Sequence, residues 1–333
     1  MHVEATAPGK MILFGEHSVV YGKKAVVLAI DRRAKIYAEK RSDERIFVDA
    51  DNLGFSGYFE DDTYYPVRGK AWRGRNLAAL NVAAKKTMEY IGTNGGVSLK
   101  VRSMIPIAVG LGSSAAICVA TVAAVERLHD AGLKKEEISQ LAFEGETIIH
   151  GKPSGVDNNV STFGGVMSYT KETGIKRHNL DHDIPFIIGN SRKRRSTKKM
   201  VEKVAFLRER NPLEVNSILD SMGLIADNGL NALKNADIHR LGDLMDLNHG
   251  FLSALGVSTM KLEILCHTSR NNGALGSKLT GAGGGGCIIA LAEERDIPVV
   301  EKAIRRRKSD SYRVSLTEQG VESKWVDQDY ANS

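Results

Sequence analysis

Cysteine is scarce: Cys118, Cys266 and Cys287 are the only three in 333 residues, and they lie far apart in apolar or glycine-rich surroundings. That spacing excludes a disulfide framework and a thiolate metal site, and the three read as reduced packing residues. No run approaches the roughly 18 apolar residues that a membrane-spanning helix needs. The N-terminal MHVEATAPGKMILFGEH has no basic region followed by an apolar one. A cytoplasmic protein without a membrane partner is expected. Prolines number only seven, with no tandem repeat and no Pro/Ser-rich tract, so neither a linker nor a solenoid is indicated. The Gly-x-x-x-x-Gly-Lys-Ser/Thr string is missing too, which removes a P-loop as the means of holding a nucleotide.

What is present suits a water-soluble globular chain, with 42% apolar and 26% charged residues. Single cores stop growing at roughly 250 to 300 residues, so a chain of this length is expected to form two lobes with a cleft between them. The net charge of +6 would suit either a nucleic acid or small anionic metabolites. Basic residues concentrate at Arg192 to Arg195 with Lys198 and Lys199, and again at Arg305 to Lys308. Either run is most simply a solvated face.

Three glycine-bearing segments organise the chain. APGKMILFGEHSVVYGKKAVVLAI reads as two strands joined by a turn near Gly15 and Gly22. SLKVRSMIPIAVGLGSSAAICVATVAAVERLHDAG opens with an alternating strand from Val97 to Val101. It then passes Gly110 and Gly112 into an alanine-rich helix ending near Gly132. A second helix from about Lys135 to His150 ends at a GKPSG cap and runs into VDNNVSTFGGVMSY, where Gly164 and Gly165 precede a strand. After a boundary between 170 and 185 come the strand IPFIIGN, the basic loop, helices between Thr197 and Arg270, and the third segment KLTGAGGGGCIIALA. A short helix and a last strand near Tyr312 follow.

Taken alone, each segment has a plain structural explanation. GLGSSA fits the Gly-x-Gly-x-x-Ala dinucleotide pattern, but no acidic residue ends a second strand some 20 positions on, so a Rossmann site is disfavoured. The same turn can cradle a phosphate, because glycines admit close approach and free N–H groups at a helix start point at the anion. As an isolated string it is more simply a tight strand-to-helix turn. Lys10, His17, Glu146 and Asp157 likewise read singly as surface, turn, solvated-face and capping residues.

Their order and company are more specific. PGKxxLxGEHxVVYG, then GLGSSAA, then KLTGAGGGG resembles the three signature motifs of the GHMP kinase superfamily. FGEHSVVYG, GETIIHGKPSGVDNNVSTFGG, NSRKRRST and LMDLNHGFLSALGVS are most similar to its mevalonate kinase branch, and the likeness covers about residues 5 to 290. The resemblance implies an α+β, two-lobed GHMP kinase fold with its active site in the cleft. It implies an N-terminal lobe over 1–178 like domain 2 of ribosomal protein S5, and a ferredoxin-like C-terminal lobe over 179–333. It implies ATP and mevalonate as small-molecule substrates, Mg²⁺ as cofactor, a homodimer and no nucleic-acid partner. Carried over residue by residue, Gly110, Leu111, Gly112, Ser113, Ser114 and Ala115 match the ATP-phosphate loop, and Ser114 and Glu146 the Mg²⁺ ligands. Asp157 and Lys10 match the catalytic pair. Glu16, His17, Ser196 and Thr197, with Lys10 and Asp157, match substrate-binding positions, and Gly281, Ala282, Gly283 and Gly284 match the third loop. One arginine of the Arg192 to Arg195 loop would then be a candidate clamp for a substrate carboxylate.

Overall fold

The computed structural model describes residues 2–50, 54–60, 62–70, 77–106, 110–150, 154–194 and 196–327. Arg195 of the basic loop, Val109 before the second glycine turn, and Gly151 to Pro153 of the expected cap lie outside them.

The first lobe is built on a long hairpin. Strand β1 (His2–Phe14) and strand β2 (Ala25–Arg41) pair antiparallel across a short 3₁₀ turn at Ser18–Tyr21. Both strands are dense in Val, Ile, Leu and Ala and are buried along most of their length, as a central pair must be when both faces are covered. Strands β3 (Ile46–Ala50), β4 (Phe55–Glu60) and β5 (Thr63–Arg68) extend the sheet, and β6 (Gly96–Ser103) pairs antiparallel with β2 and parallel with β3. Strand β5 is a mostly exposed edge carrying Pro66 and Arg68, residues that discourage further pairing. Strands β7 (Val166–Thr170) and β8 (Gly174–His178) join on β2.

Helices α1 (Ala78–Ile91), α2 (Ser113–Leu128), α3 (Lys135–His150) and α4 (Val156–Phe163) belong to this lobe. Helix α2 is buried over most of its circumference. Its Ala and Val side chains are short enough to let it sit against β1 and β2 while packed between α1 and α3. It stops at Leu128, before the expected end near Gly132, because Asp130 takes a left-handed φ of 47° and the Glu126 carboxylate accepts the Gly132 N–H at 3.1 Å.

The second lobe has a four-stranded antiparallel sheet in the order β10-β11-β9-β12. Its strands are β9 (Phe186–Asn190), β10 (Ala274–Thr280), β11 (Cys287–Ala292) and β12 (Asp310–Val314). Between β9 and β10 run helices α5 (Thr197–Arg210), α6 (Pro212–Lys234), α7 (Ile238–Ala254) and α8 (Met260–Arg270), and α9 (Ile297–Arg306) joins β11 to β12. This is the β-α-β-β-α-β arrangement of a ferredoxin-like sheet with an enlarged first crossover.

The lobes are not independent. Strand β13 (Glu322–Val326) follows β12 but pairs with β1, from His2 opposite Val326 to Thr6 opposite Glu322. The expected last strand near Tyr312 is therefore next to last. A division at residues 178 and 179 also leaves one strand of the first sheet on the wrong side. Leu316 bridges to Ile30 on the way, and the C-terminal segment is drawn across because β1 otherwise ends the first sheet unpaired. The apolar core continues across the interface, joining Phe14 and Leu28 to Leu230, Phe186 and Ile289. A Cβ on Gly229 would come within 2.1 Å of the Phe14 ring, so only glycine lets α6 approach the hairpin so closely.

Candidate functional site

Three of the expected segments converge where the lobes meet. Lys10 lies on β1 and is buried to 5% exposure, while Asp157 stands in the first turn of α4 with its side chain 38% exposed. Lys10 Nζ lies 3.0 Å from Asp157 Oδ1. An ammonium buried on one side and paired with a half-open carboxylate leaves the carboxylate's outer face free to meet a ligand.

The second glycine segment closes over the same lysine. The Lys10 N–H donates to the Leu111 carbonyl at 2.9 Å, and Gly112 is so close that a Cβ there would sit 2.6 Å from Lys10 Cγ. Gly112 takes φ 72° as the residue before α2, and no side chain caps that helix. The first N–H groups of α2, at Ser113 to Ala115, therefore point out of an open helix start, where the helix dipole favours an anion. Ser114 Oγ is buried and has no hydrogen-bond partner among the described residues. Glu146 on the adjacent α3 is buried to 2% exposure. Burial, and then the neighbouring Glu146 charge, pushes the Cys118 thiol up. Cys118 stands one helical turn beyond Ser114 on α2, so Ser114 and Glu146 address the same region. An orphan hydroxyl and a buried carboxylate are hard oxygen donors of the kind Mg²⁺ takes alongside phosphate oxygens and water. Among the described residues no cluster of three His, Cys, Asp or Glu forms a self-sufficient metal cage.

The first and third segments clasp each other across the interface. His17, held at φ 62°, donates from Nε2 to the Ala282 carbonyl at 2.9 Å, and Thr280 Oγ1 donates to the Ile12 carbonyl at 2.8 Å. The third loop folds tightly enough to need its glycines: a Cβ on Gly283 would lie 2.3 Å from the Val257 carbonyl oxygen, and Gly284 donates its N–H to that oxygen at 2.8 Å. Gly281 has a positive φ as well, at 76°. Ser196 caps α5, its hydroxyl accepting the Lys199 N–H, and Thr197 begins that helix. Three residues on, Met200 packs on Gly284, so the pair stands beside the third loop.

Glu16 is placed differently from the other expected substrate contacts. It is 3% exposed, one carboxylate oxygen accepts from Lys278 Nζ, and the other accepts from Asn248 Nδ2 at 3.4 Å. Both oxygens are thus engaged inside the protein. Burial pushes the Glu16 carboxyl up and the Lys278 ammonium down, while each charge opposes the other's shift. Lys278 had no assigned role in the sequence. It heads the KLTGAGGGG string, and a lysine flanked by strand residues was the one available signal that a charge is buried there. His249 on α7 continues the polar interior, with Nδ1 accepting the Leu279 N–H at 3.2 Å and Nε2 facing Glu263 Oε2 at 3.2 Å.

The basic loop supplies no clamp through Arg192, whose guanidinium is paired with Asp310 at the start of β12. The backbone of this loop braces the third glycine loop instead, with the Gly286 N–H on the Lys193 carbonyl at 2.9 Å and the Ser191 N–H on the Gly286 carbonyl at 2.9 Å. All three cysteines are free and buried, and burial first of all pushes the Cys266 thiol up to about 12, in keeping with inert packing thiols.

Comparison with known proteins places the chain among characterised relatives. Residues 76–165 match the GHMP kinases N terminal domain, and residues 230–310 match the GHMP kinases C terminal domain. The mevalonate kinase of Thermococcus sibiricus is 41% identical, over 90% of this chain and 92% of its own length. That of Pyrococcus abyssi is 40% identical over the same shares. Among solved structures, mevalonate kinase of L. major in complex with R-mevalonate superposes with a TM-score of 0.82 at 27% identity, covering 95% of this chain and 96% of that one. The Methanococcus jannaschii mevalonate kinase superposes with a TM-score of 0.79 at 29% identity, covering 95% and 98%. A Lactococcus lactis galactokinase shares the fold alone, with a TM-score of 0.75 at 20% identity, covering 96% and 95%.

Proposed function

The chain belongs to the GHMP kinase family, and from that premise we propose that it transfers the γ-phosphate of ATP to the 5-hydroxyl of mevalonate, giving 5-phosphomevalonate and ADP. The observation that carries the chemistry is the Lys10–Asp157 pair, set beside the uncapped start of α2. The substrate assignment rests on the relatives' identity over nine-tenths of the chain.

The N–H groups of Ser113 to Ala115 receive the phosphates, and Gly110 and Gly112 give the backbone the left-handed turns that bring them close. Ser114 and Glu146 would hold Mg²⁺. When bound with ATP, Mg²⁺ neutralises charge on the phosphoryl oxygens. Asp157 accepts the hydrogen bond of the attacking hydroxyl and aims it at the γ-phosphorus. A carboxylate is far too weak a base to strip an alcohol, which is about as weak an acid as water. In a loose transition state the proton therefore leaves late, and Asp157 takes it as the new ester bond forms. Lys10 fixes Asp157 and faces the charge developing on the transferred group. His17, Ser196 and Thr197 line the side of the cleft nearest the third loop and contact the acceptor, while Glu16 is held in the lobe interface by Lys278 and Asn248. Homodimeric assembly and a cytoplasmic location go with this reading on resemblance alone. Among the described residues no helix is long and apolar enough to cross a membrane.

The test is an ADP-release assay with Mg-ATP against mevalonate, 5-phosphomevalonate, diphosphomevalonate, galactose and homoserine. Turnover with mevalonate alone is the expected result. Turnover confined to another acceptor overturns the substrate and leaves the kinase class intact, and salt-sensitive retention on nucleic acid with no ATP turnover overturns both.

A further inference from the structure

The mechanism above assigns no role to the two basic runs, yet the fold brings Arg192 of the first to the second. Strands β9 and β12 are antiparallel neighbours with Asn190 opposite Asp310, so the chain leaves β9 into the Arg192 loop at the same end where the Arg305–Lys308 run enters β12. Between the two lies a cavity of about 510 Å³ whose lining includes Arg192, Arg305, Lys308, Ser309, Asp310 and Tyr312. None of these belongs to the glycine segments or to the Lys10–Asp157 pair.

Positive charge outweighs negative there. Asp310 is matched by Arg192, Glu301 faces Arg305 at 3.5 Å, and Lys308 has no carboxylate partner among the described residues. Lys261, at the start of α8, donates to the Arg307 carbonyl. Burial, then the fields of Lys193, Arg192, Arg307 and Lys308, hold its ammonium below the ordinary lysine value. A second observation is independent of charge: Ser309 is 3% exposed, lines the cavity, and its hydroxyl has no hydrogen-bond partner among the described residues. A buried hydroxyl without a partner is destabilising unless a ligand or water completes it.

We propose that this cavity is a second, non-catalytic site for a small phosphorylated anion, held by Lys308 and Arg305 with the Ser309 hydroxyl completing the contact. Its volume suits a small molecule, for which pockets of about 300 to 1,000 Å³ are usual. A nucleic-acid strand would want an extended cationic groove with several stacking aromatics, and Tyr312 is the only aromatic in the lining.

The probe is inorganic diphosphate, titrated calorimetrically into the full chain with and without saturating Mg-ADP. With Mg-ADP filling the phosphate loop at the start of α2, one equivalent should still bind. Lys308→Glu combined with Arg305→Glu should weaken that binding at least about tenfold, a loss of about 1.4 kcal/mol. Ser309→Ala should weaken it less, and kinase turnover should stay at the wild-type rate in all variants. Binding that vanishes with Mg-ADP, or that the charge reversals leave unchanged, overturns the site. A short single-stranded RNA that binds more tightly than diphosphate, with the same sensitivity to the charge reversals, overturns the small-anion assignment.

Discussion

In the proposed mechanism, Asp157 and Lys10 divide one task between a residue that meets the substrate and a residue that holds it. Their separation of 3.0 Å and the burial of Lys10 make the lysine's orientation depend on its stem, which packs under Gly112. Asp157→Asn keeps the shape and removes the proton acceptor. Single-turnover phosphorylation should slow by about 10² to 10⁴-fold, the usual contribution of positioned acid–base groups. Lys10→Met should cost about 10² to 10³-fold in the same assay, the usual loss of one charge-stabilising donor. Near-wild-type chemistry in the Asp157 variant would remove that residue from the mechanism. The family resemblance brought these two residues forward, but it could not separate the roles of their neighbours. Glu16 and His17 are adjacent, yet one is turned into the lobe interface and the other reaches the third loop.

At the scale of the element, the start of α2 is the most constrained feature. Gly112 combines a φ of 72° with a 2.6 Å approach to Lys10 Cγ. Gly112→Ala should therefore strain the turn by about 1–2 kcal/mol and displace Lys10 as well. The expected outcome is a small fall in melting temperature with a much larger fall in kcat. Equal and slight effects on both would mean that the turn does not position Lys10. Elements with strong periodicity and clear ends were legible in advance: α3 runs over Lys135–His150 as its pattern predicts. Helix α1 and strands β3 to β5 had no element predicted, because 46–91 carries no glycine motif and its short strands acquire meaning only by pairing beside β6.

At the scale of the whole molecule, the lobes are locked by a polar interior as well as an apolar one. Lys278 and Glu16 are both buried and come from opposite lobes. Lys278→Met strands a carboxylate in the interface and should cost about 3–5 kcal/mol in urea unfolding. Adding Glu16→Leu should recover most of that loss, since an apolar pair of similar volume replaces the ion pair without an uncompensated charge. A double variant as unstable as the single one would show that the pair is not the source of the penalty.

The sequence by itself determined the order of the three glycine segments, and through its resemblance to a known family it implied the fold class and brought Lys10 and Asp157 forward. The local features depend on local rules: glycine where φ must be positive, and alanine where a helix is enclosed. Only the tertiary structure decided that β13 returns to β1, that Glu16 is answered by Lys278, and that two distant basic runs face one cavity. Each of these joins residues far apart in the chain. Periodicity and spacing carry no record of such pairings, which are fixed only when strand edges, buried charges and packed faces find their partners.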